Sequence, residues 1–72
     1  MNMENERLIH LRKEKGITQA QLAEAIGVTQ SMIAYIEAGT KEPSKEFKIK
    51  LATYFNVTVE YLFYELHYDQ QS

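Results

Sequence analysis

The chain has 72 residues, no cysteine and a formal net charge of −2. That length makes one domain with a limited core. Without thiols there is neither a disulfide framework nor a thiolate metal site, and no apolar run approaches the ~20 residues that cross a bilayer. The polar, acidic start, Met1-Asn2-Met3-Glu4-Asn5-Glu6-Arg7, is unlike a secretory signal, so a soluble cytoplasmic domain is the expectation. An acidic total argues against a nucleic-acid partner, but the charge is unevenly spread. Residues 1–50 hold all eight Lys and Arg against seven acids, whereas residues 51–72 hold Glu60, Glu65 and Asp69 and no Lys or Arg. Phosphate binding follows the local field more than the total.

Nothing in the chain alternates with a period of two, so no strand is expected. The first helix spans about residues 4–15, with Leu8 and Leu11 on one face and Gly16 as its C-terminal cap. Thr18 opens a second helix. Thr18 and Gln21 have the spacing of a capping box, Leu22, Ala23 and Ile26 form the buried stripe, and Gly27 ends it. Thr29 caps a third helix over Gln30–Ala38, with Ile33 and Ile36 inward and Gly39 as the stop. After Pro43, Ser44 caps a fourth helix carrying Phe47, Leu51, Ala52 and Phe55, which Asn56 breaks. Val57 packs, and Thr58 caps a fifth piece over about residues 59–68. The expected fold is all-α, with five short helices.

The informative stretch is residues 18–39, TQAQLAEAIGVTQSMIAYIEAG. Two short helices meet at a turn of about three residues built on Gly27. Ala23 faces the second helix of the pair, where a larger side chain would push the two apart. Val28, Ile33 and Ile36 seal the underside, which leaves Gln30, Ser31 and Tyr35 together on the outward face. Amides and hydroxyls near a helix N-terminus suit base edges in a major groove. The bland alternative is an ordinary solvated helix face.

With these residues in place the sequence resembles the Cro-like or Xre-like helix-turn-helix family, the phage-repressor type. Matching positions include Leu8, Arg12, Thr18-Gln19, Leu22-Ala23, Gly27-Val28-Thr29-Gln30, Ile33, Ile36-Glu37, Pro43-Ser44, Leu51-Ala52, Val57-Thr58 and Leu62, so the resemblance runs from about Arg7 to Phe63. It implies a compact domain of the λ-repressor-like type at residues 1–63, followed by an aromatic extension at 64–72. It also implies base reading by Thr29, Gln30, Ser31 and Tyr35, and phosphate contacts from Thr18 and Gln19 at the start of the second helix and from Thr40 and Lys41 after the third. Arg12 and Glu37 are implied to form a buried ion pair; the alternative is two unrelated surface charges. Three departures bear on affinity and target. Tyr35 stands where Arg, Lys or Gln is frequent, Ala38 where Asn is frequent, and Lys48 where the family is often apolar. Apart from Lys41, which follows the recognition helix, the lysines of this stretch, Lys45, Lys48 and Lys50, read as a solvated face.

His10 and His67 are isolated, and no nucleophile–base pair or glycine-rich phosphate loop appears, so neither a metal, a cofactor nor an enzymatic activity is expected. The tail is different. Tyr61, Tyr64, Leu66 and Tyr68 exceed what one small domain can cover and are expected to form a homodimer interface. The leading expectation is a sequence-specific transcriptional regulator, probing an inverted-repeat operator in double-stranded DNA as a dimer and acting as a repressor or autoregulator. The competing expectation is the same fold used for protein binding, as an anti-repressor or antitoxin-like subunit. The acidic total and the aromatic tail favour the second, and the intact Thr29-Gln30-Ser31 helix start favours the first.

Overall fold

The computed structural model describes residues 4–64. The chain divides into two units, Met1–Glu42 and Pro43–Ser72. The first holds α1 (Glu6–Glu14), α2 (Gln19–Ile26) and α3 (Gln30–Ala38); the second holds α4 (Lys45–Phe55) and a π-helical turn, Glu60–Tyr64. The fold is all-α, and no strand occurs among the described residues.

Short helices leave orphan amides and carbonyls at both ends, and here side chains and αL residues satisfy many of them. Asn5, Thr18, Thr29 and Ser44 each accept the amide three residues on, at 3.0, 3.0, 3.2 and 3.2 Å. At Thr18 the box is reciprocal, because the Gln21 side chain accepts the Thr18 amide at 2.9 Å. Each helix then ends on a residue with positive φ, namely Gly16, Gly27, Gly39 and Asn56. The next amide reaches back to the last turn: Val28 to the Ala23 carbonyl at 2.9 Å and Thr40 to that of Tyr35 at 3.1 Å. This is the Schellman closure. Gly27 sits at φ 79° with open space where a Cβ would stand, so backbone conformation rather than crowding calls for glycine there.

In the first unit Leu8, Leu22, Ala23, Ile33 and Ile36 are buried; in the second, Leu51, Ala52 and Leu62 are. Leu11, Ile26 and Val28 are only half-buried, as are Phe47, Phe55, Val57 and Phe63. Two elements differ from the sequence expectation. Helix α1 starts at Glu6 rather than Glu4, because Asn5 takes the capping role. The fifth piece, expected as an ordinary helix, is π-helical at Glu60–Tyr64. Thr58 still accepts the Tyr61 amide at 3.0 Å. The wider i→i+5 turn changes the angular spacing between Tyr61 and Tyr64 from that of an α-helix. Tyr61 is half-buried and Tyr64 exposed. Leu66 and Tyr68, the other two residues expected at the dimer interface, lie outside the described residues.

Candidate nucleic-acid interface

Helix α3 is held from below and open above. Ile33, Ile36 and Glu37 are buried on its underside, whereas Thr29, Gln30, Ser31 and Tyr35 are exposed. Helix α2 packs on α3 across the turn at Gly27, with Ala23 only 3% exposed. That residue is small enough to let the two backbones approach. The Thr29 hydroxyl caps α3 through the Met32 amide, so its oxygen is already used as an acceptor. Gln30 and Ser31 occupy the first turn, where backbone amides point outward along the positive end of the helix dipole.

The Thr40-Lys41 segment leaves α3 over Tyr35. The Tyr35 carbonyl accepts both the Thr40 amide, at 3.1 Å, and the Thr40 hydroxyl, at 3.3 Å. Lys41 places its Nζ 5.6 Å from the centre of the Tyr35 ring. A residue expected to read bases and one expected to bind phosphate are therefore in contact.

Beneath this surface lies one polar cluster. The Arg12 Nε donates to Glu37 Oε2 at 2.6 Å and its Nη2 to Oε1 at 3.3 Å, with the two side chains 12% and 5% exposed. Arg12 Nη1 donates to the Ile17 carbonyl at 2.9 Å, and the Gln19 Nε2 donates to Glu37 Oε1 at 3.0 Å. The Glu37 carbonyl in turn accepts the Asn5 amide at 2.8 Å. Glu37 and its partner Arg12 thereby tie together both ends of α1, the α1–α2 turn, the start of α2 and the end of α3. Gln19, expected at a phosphate, has one of its amide hydrogens directed inward to Glu37. Thr18 is exposed at the capping box.

In the second unit the reading of Lys48 as a solvated lysine is corrected. Lys48 is buried, donates to the Tyr64 hydroxyl at 2.7 Å, and stands 4.8 Å from the Tyr64 ring centre and 5.7 Å from that of Phe63. The signal was in the spacing. Lys48 falls on the same helical stripe as Leu51, Ala52 and Phe55, and its long stem packs there while the ammonium reaches the rings. His10 pairs at 3.3 Å with Glu14 on an exposed face, and among the described residues no group of three metal-ligating side chains occurs. No helix among those residues is long and apolar enough to cross a membrane.

Comparison with known proteins accords with this geometry. A family model described as helix-turn-helix matches residues 8–62. An HTH-type transcriptional regulator of Archaeoglobus fulgidus is 37% identical over 57 residues, covering 79% of this chain and 81% of that protein. The transcriptional regulator SinR of Bacillus subtilis is 37% identical over 73 residues, covering 96% of this chain and 66% of SinR. YobD of the same organism is 39% identical over 57 residues, and the match spans 51% of its length. Among solved structures, the restriction-modification controller protein C.AhdI of Aeromonas hydrophila superposes with a TM-score of 0.73 at 34% identity, covering 82% of this chain and 86% of that one. With the α2–turn–α3 unit in place and the family match running through it, the chain belongs to the Xre/Cro-like helix-turn-helix family of DNA-binding transcriptional regulators.

Proposed function

We propose that this protein occupies an operator in cytoplasmic double-stranded DNA as a homodimer, with α3 in the major groove of each half-site, and that it acts as a repressor or autoregulator without enzymatic activity. The observation that carries the reading is the division of α3. Its underside is locked by Ile33, Ile36 and Glu37, while Gln30, Ser31 and Tyr35 stand exposed and Lys41 lies over the Tyr35 ring. A rigid helix that presents an amide and hydroxyls suits base edges. Thr29 joins them at the helix start. Thr18, Gln19 and Lys41 flank this surface as phosphate contacts, and Thr40 joins them when its hydroxyl turns from the Tyr35 carbonyl to a phosphate oxygen. An amide nitrogen has two hydrogens, so the bond from Gln19 to Glu37 orients the group while the second hydrogen serves a phosphate oxygen.

Residues 1–63 are the DNA-binding part in this reading, and 64–72, with Tyr61, extend it into a dimer contact through Tyr64, Leu66 and Tyr68. One short helix touches too few base pairs to single out a genomic site, and two-fold pairing remedies that by reading half-sites about 34–36 Å apart, or a multiple of that spacing. A second reading, a protein-binding module, draws support from Ile49 and Tyr64, large apolar side chains that are 46% and 43% exposed.

The test is selection of bound fragments from a random duplex pool by the purified chain, followed by titration against salt. The expected motif is an inverted repeat bound by two chains, with log affinity falling by about 0.9 per neutralised phosphate for each decade of salt. Gln30→Ala is expected to relax one position in each half-site, at about 1–3 kcal/mol of lost discrimination. Affinity that stays flat with salt would reject DNA binding in favour of a protein partner.

A further inference from the structure

We infer that Tyr35 is a positioning residue for Lys41: its ring is the seat on which the Lys41 ammonium is ordered for a phosphate contact. This rests on the DNA reading above. Tyr35 stands on the outward face of α3 and is 49% exposed, yet it is engaged twice by the segment that follows the helix. Its carbonyl accepts the amide and the hydroxyl of Thr40, and its ring lies under the Lys41 Nζ at 5.6 Å, within cation–π range.

The two engagements act on neighbouring residues in one direction. The Thr40 bonds fix the backbone after Gly39, so Lys41 leaves the helix on the Tyr35 side. The ring then draws in the end of a side chain that otherwise loses considerable rotamer freedom when it binds. Ordering a cation before contact lowers the entropic cost of that contact. The ring takes up only the side of the ammonium that faces it, and the hydrogens on the far side stay free to donate. A phosphate oxygen therefore adds to the contact rather than replacing it. Tyrosine at this position supplies no charge of its own; it recruits the charge six residues later. The ring performs this task whether or not its hydroxyl also touches a base.

The test separates ring from hydroxyl and seat from DNA binding. In the free protein, the Lys41 ε-methylene proton signals are expected upfield of those of the exposed Lys45 and Lys50 through the ring current; Lys48, which lies against Phe63 and Tyr64, is no reference. The shift should persist in Tyr35→Phe and vanish in Tyr35→Leu. On a non-specific duplex, where base reading contributes nothing, Tyr35→Leu is expected to weaken binding about two- to fivefold for each bound chain, the range of an exposed cation–π contact. Tyr35→Phe should lie closer to the parent. In a Lys41→Ala background, whose salt slope is shallower by about 0.9 for each bound chain, Tyr35→Leu should have no further effect. The same loss with and without Lys41, or no upfield shift in a parent that binds DNA, overturns the seat. A parent that shows the shift but no salt-dependent binding overturns the DNA reading instead, and the phosphate role with it.

Discussion

Glu37 in the first unit and Lys48 in the second are both charged and both nearly removed from solvent, at 4% and 8% exposure. Their surroundings differ. Glu37 meets a guanidinium through two hydrogen bonds and a glutamine amide through a third, and these partners belong to the last turn of α1 and the start of α2. Lys48 donates to the Tyr64 hydroxyl and lies against the rings of Phe63 and Tyr64. Burying a charge costs several kcal/mol unless geometry and hydrogen bonds compensate. The carboxylate is compensated by a matching fork, the ammonium by a hydroxyl and π-faces. The first arrangement is directional and ties backbone segments together; the second is a long apolar stem with a charged tip. Loss of a partner should therefore be severe in one and mild in the other.

The sharpest test is Glu37→Ala. It strands the Arg12 guanidinium at 12% side-chain exposure and removes the acceptor of Gln19, at an expected cost of about 3–5 kcal/mol. For a domain of this size that is a large share of the total stability. Urea unfolding followed by circular dichroism measures it, and a variant that melts with the parent would mean that the cluster is solvated in solution. An intermediate effect is expected for Tyr64→Phe, which deletes the hydroxyl that Lys48 meets but keeps the ring. Tyr64 is 43% exposed, so water replaces part of the contact and the loss should be about 1 kcal/mol. A loss as large as that of Glu37→Ala would remove the distinction between the two sites. The smallest change is expected for Lys48→Met. Methionine keeps an unbranched stem of similar length and packs its sulfur against aromatic rings, so stability should move by less than about 1 kcal/mol in either direction. Destabilisation beyond about 2 kcal/mol, on the scale of an uncompensated buried polar group, would show that the ammonium itself anchors the second unit.

These two sites were not equally legible before the structure. Arg12 and Glu37 lie 25 positions apart in sequence, and nothing local links them; the pairing was available only through the family resemblance. Lys48 is open to direct reading, since it shares the apolar stripe of Leu51, Ala52 and Phe55, but lysine carries so strong an expectation of solvent that the residue type outweighs the stripe. Asn5 is similar. It is a favoured capping residue placed just before a helical run, and an approximate helix start concealed it.

Local chemistry in the sequence alone determined where the helices lie. Thr18, Thr29 and Ser44 cap, Gly27 and Gly39 close, and the recognition helix begins and ends at Gln30 and Ala38 as expected, because caps and αL closures involve residues within a few positions of each other. The exposed face of α3 followed from periodicity in the same way. Only the tertiary structure decided what meets across distance: the inward bond of Gln19, the fold of Lys41 back over Tyr35, and the seating of Lys48 on Tyr64. Long polar side chains have reach and rotamer freedom that sequence spacing does not constrain, and their partners are chosen by where packed backbones leave room. The π-helical turn at Glu60–Tyr64 belongs with them. Its i→i+5 bonding has no propensity signature in five residues, so a run that reads as helix leaves the pitch, and with it the direction of each tyrosine, to the tertiary structure.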